Sequence, residues 1–148
     1  MPMKKLPRPT GSELEILQVL WRDGPSTVRA VQEALEQKRA MGYTTVLKLM
    51  QIMAGKGLVA RDETGRAHVY RARLARQETQ RQLLDDFLNR AFGGSAAALV
   101  MQALSGKRAS AGEIAEIRRL LDEQESAQAA GHADPGESRV REFLKRGR

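Results

Sequence analysis

The stretch from Gly42 to Gly57, GYTTVLKLMQIMAGKG, restricts what this chain can fold into more than any other. Val46, Leu49, Met50 and Met53 recur at i, i+3, i+4 and i+7, which puts them on one face of a helix. At about 100° per residue, Thr44, Lys48, Gln51 and Gly55 fall on the opposite face. That second face carries a hydroxyl, a cation, an amide and a gap, with no carboxylate and no large apolar side chain. Lysine can donate to guanine or to phosphate, glutamine can pair with adenine, and threonine can serve either base edges or backbone. Thr44 or Thr45 suits the N-cap, and Gly57 suits the left-handed position that ends a helix. An ordinary amphipathic surface helix would show the same two faces, so the flanking segments decide between the two readings.

On the N-terminal side, residues 1–9 are a basic, proline-punctuated lead-in. Thr10 and Glu13 form a capping box, and Leu14, Leu17, Leu20 and Trp21 follow at helical spacing, with Trp21 closing the helix as a core residue. Asp23-Gly24-Pro25 breaks that helix. Ser26 or Thr27 caps a second one, VRAVQEALEQ, with Val28, Val31 and Leu35 as its buried stripe. A short connector, Gln37 to Met41, and the tight point at Gly42 lead into the third helix. Two helices joined by a short glycine-containing turn form the pattern of a helix-turn-helix, whose second helix enters the major groove.

After Gly57 the period changes from helical to extended. LVARD (58–62) and AHVYRA (67–72) are strand candidates, and Glu63-Thr64-Gly65-Arg66 is the hairpin loop between them. A helix-turn-helix followed directly by a basic hairpin describes a winged helix. Arg66 falls at the loop tip, where a wing can reach phosphate, and Arg61, Arg71 and Arg73 flank it.

From Leu74 the pattern is helical again. Leu83, Leu84, Phe87, Leu88, Ala91 and Phe92 form an apolar stripe that ends at Gly93-Gly94. Ser95 caps AAALVMQAL, which carries Leu99, Val100 and Leu104. Ser110 and Glu113 form another capping box ahead of Ile114, Ile117, Leu120 and Leu121. Three such helices in about 50 residues are too few for an independent core. A second copy would satisfy them, which makes a homodimer the physical expectation, with Leu84, Phe87, Leu88, Leu99, Ile117 and Leu121 as interface residues. From Ser126 onward the periodicity fades into a small-residue, basic segment expected to be disordered.

The domains expected are therefore a winged helix over 1–73, a helical dimerisation domain over 74–125, and a tail over 126–148. The fold class is mainly α. Charge agrees with that division. Residues 1–73 hold 13 Lys and Arg against 7 Asp and Glu, whereas residues 74–125 hold 7 against 8. The formal net charge of +7 is thus concentrated on the part with the polar-faced helix, as expected for a polyanionic partner.

Several function classes lack their residues. With no cysteine, there is no disulfide, thiolate metal site or cysteine nucleophile. His68 lies on a wing strand and His132 in the tail, too far apart in the pattern for a shared metal site. Asp85-Asp86 and Glu113/Glu116 are acid pairs on exposed faces, and Gly93-Gly94-Ser95 is a plain helix joint rather than an anion site. No motif of a hydrolase or nucleotide-binding loop occurs. No enzyme activity, metal or cofactor is expected. No apolar run approaches the roughly 20 residues that span a bilayer, and the N-terminus lacks the apolar region of a signal peptide, so a cytoplasmic, nucleoid-associated protein is expected.

The segments LPRPTGSELEILQVLW, STVRAVQEAL, GYTTVLKLMQIMAGKGLV and GRAHVYRA, in that order, resemble the penicillinase-repressor (BlaI/MecI/CopY) family of bacterial transcriptional regulators. The resemblance is strong over the winged helix and weaker behind it. It implies a dimeric repressor on an operator of dyad symmetry, controlling β-lactamase or other cell-envelope and stress genes and its own operon. Carried onto this chain, it implies a recognition helix from Tyr43 to Lys56. Tyr43, Thr44, Thr45, Lys48 and Gln51 would then contact the DNA, with Arg66 as the wing contact. It also implies a membrane sensor with a zinc protease domain, whose signal leads to repressor cleavage. Three departures stand out. Many members carry Arg where this chain has Ile52. The proteolysed members are cut at an Asn-Phe bond, and the matching bond here is Gln102–Ala103 within Leu99-Val100-Met101-Gln102-Ala103. Copper-responsive members carry a C-terminal cysteine cluster, which this chain lacks. Two alternatives remain open from the residues alone: a winged helix sensing a small ligand directly, and a protein-interaction adaptor.

Overall fold

A computed structural model describes residues 7–130. It divides the chain into two compact units, Met1–Asp86 and Phe87–Arg148, with the division falling inside one long helix. The basic C-terminal segment with His132 lies outside the described residues apart from its first five positions.

The first unit is built from three helices and a small sheet. Helix α1 spans Gly11–Asp23 and begins with the expected capping box. The Glu13 amide donates to Thr10 Oγ1 at 3.2 Å, and the Thr10 amide donates to Glu13 Oε1 at 2.8 Å. The helix continues past Trp21 to Asp23 and ends at Gly24. Trp21 is half-buried against the core, and its indole nitrogen donates to the Leu74 carbonyl at 3.0 Å.

Ser26 and Thr27 form a short strand, β1, as well as the approach to helix α2, Val28–Glu36. Thr27 is the cap, accepting from the Ala30 amide at 3.1 Å. Helix α3 spans Tyr43–Lys56. Its N-cap is Gly42, with no side-chain cap bond, rather than Thr44 or Thr45. Both threonines lie inside the first turn, so their hydroxyls are left on the exposed surface. Gly57 ends α3 at φ 85°, the left-handed conformation that glycine adopts without a Cβ penalty.

The hairpin follows as β2, Val59–Asp62, and β3, Val69–Ala72. The loop is longer than the sequence suggests, because Ala67 and His68 belong to it and not to a strand. The sheet has three strands in the order β1-β3-β2, all antiparallel. Ser26 pairs with Tyr70 on one side of β3, and Arg61 pairs with Tyr70 on the other. Two residues of strand are too short to show a period, which is why β1 was legible only as a cap.

The core of this unit draws Ile16, Leu17 and Leu20 from α1, Val31 and Leu35 from α2, and Val46, Met50 and Met53 from α3. Leu58, just before β2, and Val59 and Tyr70 from the sheet close it. The three helices, β2 and β3 therefore share one apolar centre, and α3 is fixed by three fully buried side chains.

Helix α4 spans Arg76–Phe92, α5 spans Ala96–Leu104, and α6 spans Ala111–Ala130. Gly93 and Gly94 take positive φ at 57° and 83°, and the Gly94 amide returns to the Leu88 carbonyl at 3.0 Å. Ser95 caps α5, and Ser110 with Glu113 caps α6, both as expected. Helix α6 runs to Ala130, beyond Ser126 where the apolar period fades, because its last turn consists of small and polar residues that still favour helix. Among the described residues no helix is long and apolar enough to cross a membrane.

Candidate nucleic-acid interface

Burying Val46, Met50 and Met53 leaves the other side of α3 in solvent. Tyr43, Thr44, Thr45, Lys48, Gln51, Ile52 and Gly55 are all exposed. Leu49 lies at the margin, half-buried against the core. The exposed face of α3 has no carboxylate, and its first turn has no acidic residue.

Gly55 is informative because nothing inside the protein requires it. A Cβ built there meets nothing within 4 Å, and the backbone is ordinary helix. Glycine inside a helix costs about 0.5–1 kcal/mol relative to alanine. What it provides is a low point on the exposed face, one helical turn beyond Gln51.

The cations of the first unit fall into two groups that the sequence could not separate. Arg22 pairs with Asp23, Arg39 with Glu15, Lys56 with Glu13, and Arg61 with Glu63. Arg29, Lys48, Arg66, Arg71 and Arg73 make no ion pair among the described residues. Arg61, expected to flank the wing as a phosphate contact, is thus engaged with its own loop. Arg66 is exposed in the wing loop, as are Arg71 and Arg73 beyond it. The loop is shaped by Asp62, whose Oδ1 accepts from the Thr64 amide at 2.9 Å and from the Thr64 hydroxyl at 2.7 Å. Those bonds favour the ionised carboxylate and lower its pKa.

Two contacts position α3, and pattern reading missed both. The first is Arg29, near the start of α2, whose guanidinium lies 5.1 Å from the centroid of the Tyr43 ring. It links the two helices of the helix-turn-helix by a cation–π contact while keeping its charge unneutralised. The second is Glu13. It is only 2% exposed and holds Lys56 Nζ at 2.9 and 3.0 Å. Burial pushes its carboxyl up, but bonds from Lys56 and the Thr10 amide outweigh this, and the net shift is downward from 4.5. Glu13 therefore caps α1 and also secures the last turn of α3. Lys56 serves as a strut and is taken up by the fold. Residues 43 positions apart leave no periodic signal, so only the fold reveals this pair.

The turn before α3 is also held. Gln32, largely buried, donates from Nε2 to the Met41 carbonyl at 3.3 Å and to Glu36 Oε1 at 2.6 Å.

The residues expected at a dimer interface lie on α4–α6. Leu84, Phe87 and Leu121 are exposed at 47%, 54% and 56%, and Leu88, Leu99 and Ile117 are half-buried. Gln102 and Ala103 are exposed in the last turn of α5. The Gln102 carbonyl accepts from the Ser105 hydroxyl at 2.8 Å and from Arg108 Nη1 at 3.0 Å. Among the described residues, no group of three or more His, Cys, Asp or Glu could hold a metal ion, and His68 stands in the wing loop before β3.

The penicillinase repressor family model matches residues 9–123. The chain is 38% identical over 135 residues to the transcriptional regulator BlaI of Mycobacterium tuberculosis, covering 89% of this chain and 93% of that protein. It is 25% identical over 124 residues to the penicillinase repressor of Bacillus licheniformis, covering 84% and 97% of the two chains. The solution structure of the DNA-binding domain of the repressor BlaI shares 24% identity, with a TM-score of 0.45 over 51% of this chain and 93% of that one. Both the family model and the relatives span the winged helix and the helices behind it, and the chain belongs to the penicillinase repressor family.

Proposed function

We propose that this protein is a dimeric transcriptional repressor of double-stranded operator DNA with dyad symmetry. Each chain lays α3 in the major groove, with Tyr43, Thr44, Thr45, Lys48 and Gln51 as contacts and Arg66 reaching phosphate from the wing. The observation that carries this reading is the exposed, carboxylate-free face of α3, flanked by cations that make no ion pair among the described residues. Helix-turn-helix dimers place two such helices about one helical turn of DNA apart, 34–36 Å, so one operator face is covered and polymerase is obstructed.

Residues 74–125 serve as the dimerisation domain, with Leu84, Phe87, Leu88, Leu99, Ile117 and Leu121 buried by the second copy. The name of the penicillinase repressor relative supports control of a β-lactamase gene, and the proposal extends to related envelope genes, with repression exerted in the cytoplasm on nucleoid DNA. Release by a membrane sensor with a protease domain would cut at Gln102–Ala103. The Gln102 carbonyl is engaged by Arg108 and Ser105, so cleavage there requires the end of α5 to unwind first.

A DNA mobility shift tests the reading, using the region upstream of the gene with excess unrelated DNA, at two salt concentrations. A discrete complex that survives competitor and weakens steeply with salt is expected, since phosphate contacts release counterions. Lys48→Ala should cost about 1–3 kcal/mol and relax preference at one base position. If competitor abolishes the wild-type complex, the chain has only general affinity for DNA and is not an operator-specific repressor.

A further inference from the structure

We infer that Ile52 is a specificity-determining residue that recognises the 5-methyl group of a thymine in each operator half-site. The inference rests on the repressor reading above and adds to it a base identity.

Ile52 is 43% exposed on α3. A lone exposed isoleucine is unremarkable on a general protein surface. Its position here is not general. Thr44, Lys48 and Ile52 follow one another at i, i+4 and i+8 and form one ridge along the exposed side of the helix. Gln51 and the bare Gly55 lie beside that ridge. The apolar side chain is therefore set among a hydroxyl, a cation and an amide, on the surface proposed to face base edges.

Isoleucine neither donates nor accepts a hydrogen bond, so it cannot read the polar groups of a major groove. The apolar feature that a base edge displays there is the thymine C5-methyl, and aliphatic side chains recognise it by contact. Ile52 is also β-branched, so its χ1 is nearly fixed in a helix and little rotamer freedom is lost on docking. Opposite a guanine or cytosine, the same side chain would cover polar edges and leave them without partners, which disfavours those bases.

The test uses a duplex selected by the wild-type protein from a randomised pool. Each thymine of the half-site is replaced in turn by deoxyuridine, which lacks the methyl group and keeps the pairing. One position per half-site should weaken wild-type binding by about fourfold, the effect of withdrawing one buried methyl. Ile52→Ala should bind the thymine and uracil duplexes equally at that position while keeping its response elsewhere. Thermal melts should match, because the truncated side chain lies outside the core. A specific wild-type complex indifferent to methyl removal at every thymine overturns the inference and leaves the repressor reading standing. An Ile52→Ala protein that still loses fourfold at the same thymine also overturns it. Failure to select any competitor-resistant duplex overturns both.

Discussion

The two units of this chain treat their apolar residues in opposite ways. In Met1–Asp86, one side chain after another from α1, α2, α3 and the sheet is fully buried in a single cluster. In Phe87–Arg148, Ala127 is the one buried hydrophobic residue among those described, while Phe87, Met101 and Leu121 are more than half exposed. The front unit is a complete core within one chain. The rear helices carry apolar stripes of similar density with no comparable core, and unburied side chains of that size forgo about 1.5–3 kcal/mol each. Apolar stripes thus serve two purposes on the proposed reading: in front they fix the pose of α3, and behind they would be covered by a second copy. A repressor that needs two recognition helices at a set spacing has reason to be built this way.

That contrast can be broken experimentally, and the largest effect belongs to the front core. Met50→Ala removes a fully buried side chain from beneath the exposed face of α3. It should cost about 2–5 kcal/mol of stability, read by denaturant titration, and the loss should not depend on protein concentration. If Met50→Ala were as harmless as a surface substitution, the front unit would not be the closed core described.

Leu121→Asp probes the rear unit. Leu121 is 56% exposed, so in an isolated chain the change should be nearly neutral. At the proposed interface it should cost about 2–4 kcal/mol of association. Sedimentation should then show monomer, and operator affinity should fall with it. A Leu121→Asp protein that sediments as wild type would remove this residue from the interface.

The pairing of Glu13 with Lys56 sharpens the front half of the comparison. The Glu13 pKa is lower in the folded protein than its ordinary 4.5, so its contribution is fully present above that value and is lost as pH falls through the folded one. Glu13→Gln should destabilise the protein near neutral pH by about 1.5–3 kcal/mol, the scale of hydrogen bonds to a charged group. It should also flatten the acid limb of the stability profile. An unchanged acid limb would show that Glu13 does not couple folding to pH.

The smallest effect is the most selective. Gly55→Ala fills open space in an ordinary helix, so it should stabilise the fold by about 0.5–1 kcal/mol. If the gap accommodates DNA, operator affinity should fall at the same time. Thermal melts and mobility shifts on one preparation would reveal the opposite signs. A gain in both would mean that no close approach occurs at Gly55.

The sequence made the helices legible because their stripes, caps and closing glycines are local. Val46, Met50 and Met53 announced the buried face of α3, and Gly57 announced its end. The three rear helices and the caps of the last two, Ser95 and Ser110 with Glu113, were equally plain. What escaped was non-local or too short for a period. Ser26–Thr27 becomes a strand only because β3 lies beside it. The caps at Thr44 and Thr45 were misplaced because Gly42 already supplies the extended turn residue. Arg29 over Tyr43, Glu13 with Lys56 and Arg61 with Glu63 join residues by proximity or side-chain reach. Charge counting showed where the basic residues concentrate, and the fold showed which of them make ion pairs among the described residues.

The most direct measurement is a hydroxyl-radical footprint of the full chain on its selected duplex, combined with the stoichiometry of the complex. Two chains protecting two symmetric patches, centred about 10 base pairs or a multiple of that apart on one DNA face, are the predicted result. A saturated complex with one chain and a single protected patch would contradict an account in which the rear helices join two readers.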